Sequence, residues 1–158
     1  MASGNLIVYA SVHHGNTERV AEAMADELDA ALQPPGMTSV EDVAGADLVG
    51  FGSGIYFWRH HRSLLRLVQR LPAMPAKKAF VFSTRGGFPR WIGHRRLKKL
   101  LHRRGFTLAD EFSCKGYDTY GPLKIFGGIN RGRPNQKDIA KARRFAARLA
   151  DEQVQRKG

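Results

Sequence analysis

Cysteine is nearly absent from this chain. Its 158 residues contain one, Cys114, which excludes an internal disulfide framework and a cysteine-rich zinc site. A lone cysteine at a strand end reads as a small buried hydrophobe rather than a redox thiol. No apolar run approaches the roughly 20 residues of a membrane-spanning helix. The N-terminus runs straight into a strand pattern, so no secretory signal is expected, and the expected location is cytoplasmic. Internal repeats and low-complexity tracts are lacking too. The pairs His13-His14 and His60-His61 do not suggest a metal, because successive side chains diverge and no carboxylate or cysteine accompanies them. No catalytic residue and no Ser–His–Asp triad can be argued from separate positions.

Negative charge is scarce where positive charge is dense. Eight of the 14 acidic residues fall between Glu18 and Asp47, whereas Arg59 to Arg104 contains no Asp or Glu and 14 Lys and Arg. The net charge is +12 and the isoelectric point about 10.4. Such a balance points to an anionic ligand, an acidic partner, nucleic acid or an anionic membrane surface. Nucleic acid is the least favoured, since no aromatic interleaving of a known binding module is present.

What is present is an alternation of strands and helices. With 158 residues, 42% of them hydrophobic, one domain spanning residues 1–158 with a real core is expected. Strands are expected over Asn5 to Ala10, Thr38 to Val40, Asp47 to Gly52, Lys78 to Ser83 and Thr107 to Ser113. Helices are expected over Thr17 to Leu32, His61 to Leu71, Trp91 to Arg103 and Gln136 to Gln153, the first ended by Pro34-Pro35-Gly36. Five strands separated by helices imply an α/β fold, a three-layer αβα sandwich around a five-stranded parallel sheet. The common order is 2-1-3-4-5, whose ligand site lies outside the carboxyl ends of the strands where the order reverses. Four loops then share that edge: Ser11 to Thr17, Ser53 to His61, Thr84 to Arg90 and Cys114 to Asn135.

The first loop follows an apolar run, Leu6-Ile7-Val8-Tyr9-Ala10, and opens a helix at Gly15-Asn16-Thr17. A helix N-terminus carries unpaired N–H groups and a positive dipole end, so it can hold a phosphate. Ser11, Asn16 and Thr17 add side-chain donors, and His13 and His14 border the loop. The alternative is a plain capped turn. The second loop, Ser53-Gly54-Ile55-Tyr56-Phe57-Trp58, offers three consecutive aromatics for a flat apolar ring. Trp58 or Tyr56 is expected against that ring and Phe57 in the core. The third, Thr84-Arg85-Gly86-Gly87-Phe88, has glycines that admit close backbone approach to a ring edge.

Taken together, Ile7 to Ser11 leading into Gly15-Asn16-Thr17-Glu18, Asp47 to Ser53, and Phe80 to Gly87 resemble the flavodoxin family over nearly the whole chain. The phosphate loop departs from the usual pattern by one extra residue between Ser11 and Gly15, and by two histidines where small hydroxyl residues are usual. Phe112 to Thr119, Gly127-Gly128 and Arg131-Gly132-Arg133-Pro134 are similar to one branch of flavodoxin-like proteins. The resemblance implies FMN as cofactor and a redox role, electron transfer between a reductase and an acceptor enzyme. The alternative is an FMN-dependent oxidoreductase such as a quinone reductase or a protoporphyrinogen-oxidase-like enzyme. Electron-carrying flavodoxins are usually acidic and this chain is not. Arg59, Arg62, Arg85, Arg90, Arg95, Arg96, Lys115 and Lys124 are expected to border the flavin edge. They would favour a reduced, anionic ring and draw an acidic redox partner or an anionic membrane.

Overall fold

The computed structural model describes residues 4–11, 15–86, 89–116 and 132–157. Its strands are β1 (Gly4–Ala10), β2 (Ala30–Gln33), β3 (Ala46–Tyr56), β4 (Arg59–His60), β5 (Lys78–Arg85) and β6 (Thr107–Lys115). Its helices are α1 (Asn16–Leu28), α2 (Val40–Ala44), α3 (Arg62–Arg70), α4 (Arg90–Arg103) and α5 (Gln136–Lys157). Five strands run parallel in the order β2-β1-β3-β5-β6, and β4 folds back antiparallel on the end of β3. With β4 set aside, this is the expected 2-1-3-4-5 order.

Each face of the sheet carries its own core. Val8, Val49, Phe51 and Val81 meet Leu64, Val68, Leu97 and Leu101 from α3 and α4. On the other face Ile7, Phe80 and Phe82 meet Val20 and Met24 of α1 and Phe145 of α5. Alternation along each strand sends successive side chains to opposite layers, which makes the domain three layers thick. Across that second face, Phe80 and Phe82 lie over the glycines that pair with them in β3. A Cβ on Gly50 would stand 2.2 Å from the Phe80 ring, and one on Gly52 2.3 Å from Phe82. The two rings occupy the volume that side chains on central β3 would otherwise fill.

The first crossover differs from the sequence expectation. The helix expected to reach Leu32 stops at Leu28, because Asp29 turns left-handed at φ 49° and donates its N–H to the Ala25 carbonyl. Asn5 Nδ2 donates to the Leu28 carbonyl at 2.8 Å, and the chain enters β2 beside β1, pairing Asn5 with Ala30. The strand expected near Thr38 is instead the start of a helix. Ser39 caps α2 and exchanges hydrogen bonds with Asp42 in both directions. Ala30-Ala31-Leu32-Gln33 has helical propensity, and edge pairing overrides it. The Ser39–Asp42 spacing was the legible signal for α2.

Candidate functional site

The carboxyl edge of the sheet gathers the ends of β1, β3, β5 and β6. Gly15 stands at the N-cap of α1 in the left-handed region, φ 64°, and has no side chain of its own to cap the helix. Glycine adopts that angle without strain, and the 13-residue helix presents its positive end at this edge. Ser11 reaches the same turn, its hydroxyl accepting the Glu18 N–H at 3.3 Å. Asn16 and Thr17 are buried. The Thr17 hydroxyl meets the Thr84 hydroxyl at 2.9 Å, joining the first turn of α1 to the end of β5. Gly116, just past β6, closes the gap from the side. Its N–H donates to the Arg85 carbonyl at 3.0 Å, and a Cβ there would lie 2.9 Å from Asn16 Nδ2.

The aromatic segment is a hairpin rather than a loose loop. β3 continues to Tyr56 and β4 returns from Arg59, with Ile55 opposite His60 and Tyr56 opposite Arg59. Phe57 and Trp58 form the two-residue tip, both at positive φ, 48° and 70°. Tight hairpins favour φ > 0 at both central positions, which suits Asn-Gly and strains bulky residues. Phe57 is 71% exposed and Trp58 58%. The expectation that Phe57 turns into the core is therefore wrong: at the tip of a two-residue turn both side chains leave the sheet. Tyr56 is half-buried. Its ring folds over Gly54, where a Cβ would stand 2.9 Å from its hydroxyl, and meets the His61 ring edge-on at 5.5 Å. Trp91, at the start of α4, is 63% exposed. Gly93 of that helix packs against Ile55, 2.9 Å from where its Cβ would be, so α4 lies beside the hairpin.

Ser53 is fully buried. It accepts the His61 N–H at 2.8 Å and donates to the Gly54 carbonyl at 2.6 Å, fastening the hairpin exit to the end of β3. Thr84, Arg85 and Gly86 follow in β5 and the residue beyond it. His13, His14, Gly87 and Phe88, also expected at the site, lie outside the described residues, as does Lys124. Among the expected residues that are described, Ser11, Gly15, Asn16, Thr17 and Thr84 come together at one point. Tyr56, Phe57 and Trp58 form a separate wall beside the end of β5.

Behind that wall lies a polar cluster that the sequence reading did not single out. His60 is fully buried and donates from Nε2 to the Phe82 carbonyl at 3.0 Å. Its ring lies 5.1 Å from that of His94, also fully buried. His94 Nε2 meets the Ser83 hydroxyl at 2.6 Å and Nδ1 meets Glu111 at 3.1 Å. Burial holds both imidazoles well below their ordinary range, each to about 3. The second cause is the neighbouring His94 for His60, and the Arg90 guanidinium for His94. His61 is also lowered, by burial and then by Arg62. No motif spacing marks these residues, since they come from four separate elements. Cys114 is buried and its thiol is pushed up to about 12, by burial first and then by Asp138.

Residues 6–121 match the flavodoxin domain family, and the chain belongs to it. An uncharacterized protein of Methanocaldococcus jannaschii is 46% identical over 143 residues, covering 89% of this chain and 94% of its own length. The fold is shared with solved flavodoxins of low identity. Oxidised Flavodoxin 2 from Bacillus cereus superposes with a TM-score of 0.70 at 20% identity, covering 95% of this chain and 99% of that one. A flavodoxin from the domain Archaea gives 0.68 at 17% identity, with 94% and 96% covered. Among the described residues no helix is long and apolar enough to cross a membrane.

Proposed function

We propose that this domain binds FMN at the carboxyl edge of its sheet and passes electrons between a reductase and an acceptor enzyme. The observation that carries the reading is the convergence of two differently suited surfaces on one edge. One is the N-terminus of α1, which opens on Gly15 rather than on a capping side chain, with Ser11, Thr17 and Thr84 hydroxyls around it. The other is an aromatic hairpin tip held at positive φ. Of the Thr17–Thr84 pair only one hydroxyl proton is used between the two oxygens, so the other remains to be donated to a phosphate. The donor set is neutral and positive, with Arg19 following in α1, which suits a dianion. Strained residues at an exposed tip are retained where they serve a ligand, and Phe57 and Trp58 offer flat apolar faces of the size of an isoalloxazine. Bound FMN supplies a ring that accepts and returns electrons. The chain's own part is to grip the phosphate, wall the ring and set the charge around it.

The partner follows from charge. From Arg59 to Arg104 the chain is wholly without acidic residues, and this segment supplies β4, the return strand of the hairpin, together with α3, β5 and α4. An acidic redox partner docked there associates more slowly as salt rises, because screening acts over about 8 Å at 0.15 M.

The test is the purified protein itself. Titration with FMN gives one flavin per chain, quenched tryptophan emission, and much weaker binding of riboflavin, which lacks the phosphate. Equal affinity for the two flavins removes the phosphate site from the reading. An absence of any flavin binding removes the reading altogether.

A further inference from the structure

α3 and α4 lie side by side on one face of the sheet, and both run from its carboxyl edge to its amino edge. Arg104 ties their last turns together, donating from Nη2 to the Gln69 carbonyl at 2.6 Å and from Nε to the Val68 carbonyl at 3.4 Å. Inward, both helices are apolar. Outward, each carries a cation at every fourth residue: Arg62, Arg66 and Arg70 on α3, and Arg95, Lys99 and Arg103 on α4, all of them exposed. Residues four apart stand one above the other on a helix. Successive charges are therefore ~6 Å apart along a row, and the two helix axes ~8–10 Å apart.

Among the described residues none of these six side chains makes a hydrogen bond or an ion pair. Cations elsewhere are engaged. Arg90 and Lys98, also on α4, share Glu111 of β6. On the opposite face of the sheet Arg133 pairs with Asp138, Arg143 with Asp26 and Arg148 with Asp110. Like charges at four-residue spacing repel, so two uninterrupted rows destabilise the free protein and an anionic partner relieves them. Arg62 and Arg95, expected at the flavin edge, are the first members of rows that lead away from that edge. At the far end, the last turns of α4 and the start of β6 bound a cavity of 340 Å³ floored by Leu101, Phe106 and Leu108, with Lys99 and His102 at its rim.

We propose that the outer face of α3 and α4 docks an acidic helix of a partner protein, whose carboxylates pair with the two cation rows and one of whose apolar side chains enters the cavity at their far end. The proposal rests on the acidic redox partner inferred above and states where and in what form it is held. A helix laid between the rows repeats its own side chains at the same ~6 Å interval on each flank, so glutamates four apart meet the cations in register. The apolar floor behind a basic rim suits a single buried anchor surrounded by charge. A lipid surface calls for apolar residues among the cations, and stacked bases call for aromatic faces. Of the large apolar side chains exposed among the described residues, only Trp91 belongs to either helix, and it precedes the row. The carboxyl edge stays uncovered, so holding the partner and exchanging electrons are separate tasks of separate surfaces.

The probe is a labelled helical peptide with glutamates at four-residue spacing on two flanks and a phenylalanine in its first and last turns, titrated by fluorescence anisotropy at low salt. The wild-type protein binds it more tightly than a scrambled peptide of the same composition. Arg66→Glu and Lys99→Glu each weaken binding about tenfold, since reversal replaces an attraction by a repulsion. Lys137→Glu and Arg144→Glu, exposed on α5 across the sheet, make the same change in net charge and cost less than about twofold. Replacing the peptide's phenylalanines by alanine weakens binding about tenfold. Equal binding of the scrambled peptide, or equal losses on the two faces, reduces the effect to bulk charge and overturns the docking face. An alanine peptide that binds as well overturns the cavity as anchor. Tighter binding of single-stranded polyuridylate or of phosphatidylglycerol vesicles at the same salt overturns the protein helix as occupant. Peptide binding needs no flavin, so a failed FMN titration leaves this test standing, and a failed peptide titration leaves the FMN reading untouched.

Discussion

Thr17 and Thr84, 67 residues apart in sequence, place their buried hydroxyl oxygens 2.9 Å from each other. One belongs to the first turn of α1 and the other to the end of β5. This contact ties the proposed phosphate site to the strand that carries the proposed ring-edge residues, so a change at either end is felt at both.

Removing one hydroxyl at constant shape isolates its effect. Thr17→Val is expected to weaken FMN about tenfold, the worth of one hydrogen bond to a charged group, and to leave riboflavin affinity unchanged. Fluorescence titration with the two flavins measures both. Equal losses for the two would place Thr17 in the scaffold and not at the phosphate.

The hairpin tip trades stability for an aromatic surface. Phe57 and Trp58 sit at φ 48° and 70°, where L residues with bulky side chains are disfavoured by about 1–2 kcal/mol each. The double change Phe57→Asn, Trp58→Gly provides the residues such a turn prefers. It is expected to stabilise the apoprotein by about 1–2 kcal/mol in urea unfolding while lowering flavin affinity. A less stable double variant would refute the strain argument.

Two buried imidazoles make the fold acid-sensitive. Folded His60 and His94 titrate at about 3, against an ordinary value of 6.5. The unfolded chain therefore binds more protons throughout that interval. Stability is complete above about pH 6.5 and is lost as the pH falls toward 3, by up to about 1.4 kcal/mol per pH unit for each ring. At pH 5 each ring has forfeited about 2 kcal/mol. Urea midpoints between pH 7.5 and 4.5 read this directly, and His60→Gln should reduce the slope by about half. A pH-independent midpoint in that window would contradict the buried neutral state.

Cys114 is expected to behave as a core residue. Its thiol is pushed up to about 12 and thiolate is the reactive form. Iodoacetamide at pH 8 should alkylate the native protein at least roughly a hundredfold more slowly than the urea-unfolded chain. Mass spectrometry of the two time courses supplies the comparison.

Much of the architecture was legible because local pattern and global fold agree. Val49 to Phe51 and Ala79 to Phe82 are apolar on both sides, as strands covered on two faces must be. The amphipathic spacing of Leu64, Leu65 and Val68 likewise turned α3 toward its core. The Gly15-Asn16-Thr17 turn stood out because a helix N-terminus after a buried strand can hold a phosphate, although a plain capped turn has the same local pattern. By contrast, Ala30 to Gln33 reads as helix, and only its pairing with β1 makes it a strand. Phe57 turned outward for a related reason. Whether a residue after a strand faces core or solvent depends on how the chain returns, and β4 is only two residues long.

The sequence by itself determined the layers and the strand order, because both follow from periodicity and from turn residues acting over a few positions, while the family was carried by the resemblance of Ile7 to Glu18, Asp47 to Ser53 and Phe80 to Gly87. Tertiary structure alone decided which polar groups meet. Ser83, His94, Glu111, Ser113 and Arg85 are separated by up to 30 positions. Their hydrogen bonds exist only once β5, β6 and α4 are packed. Nothing in a one-dimensional pattern records that Ser83 faces α4 and Thr84 faces α1 until the register with the neighbouring strands is set.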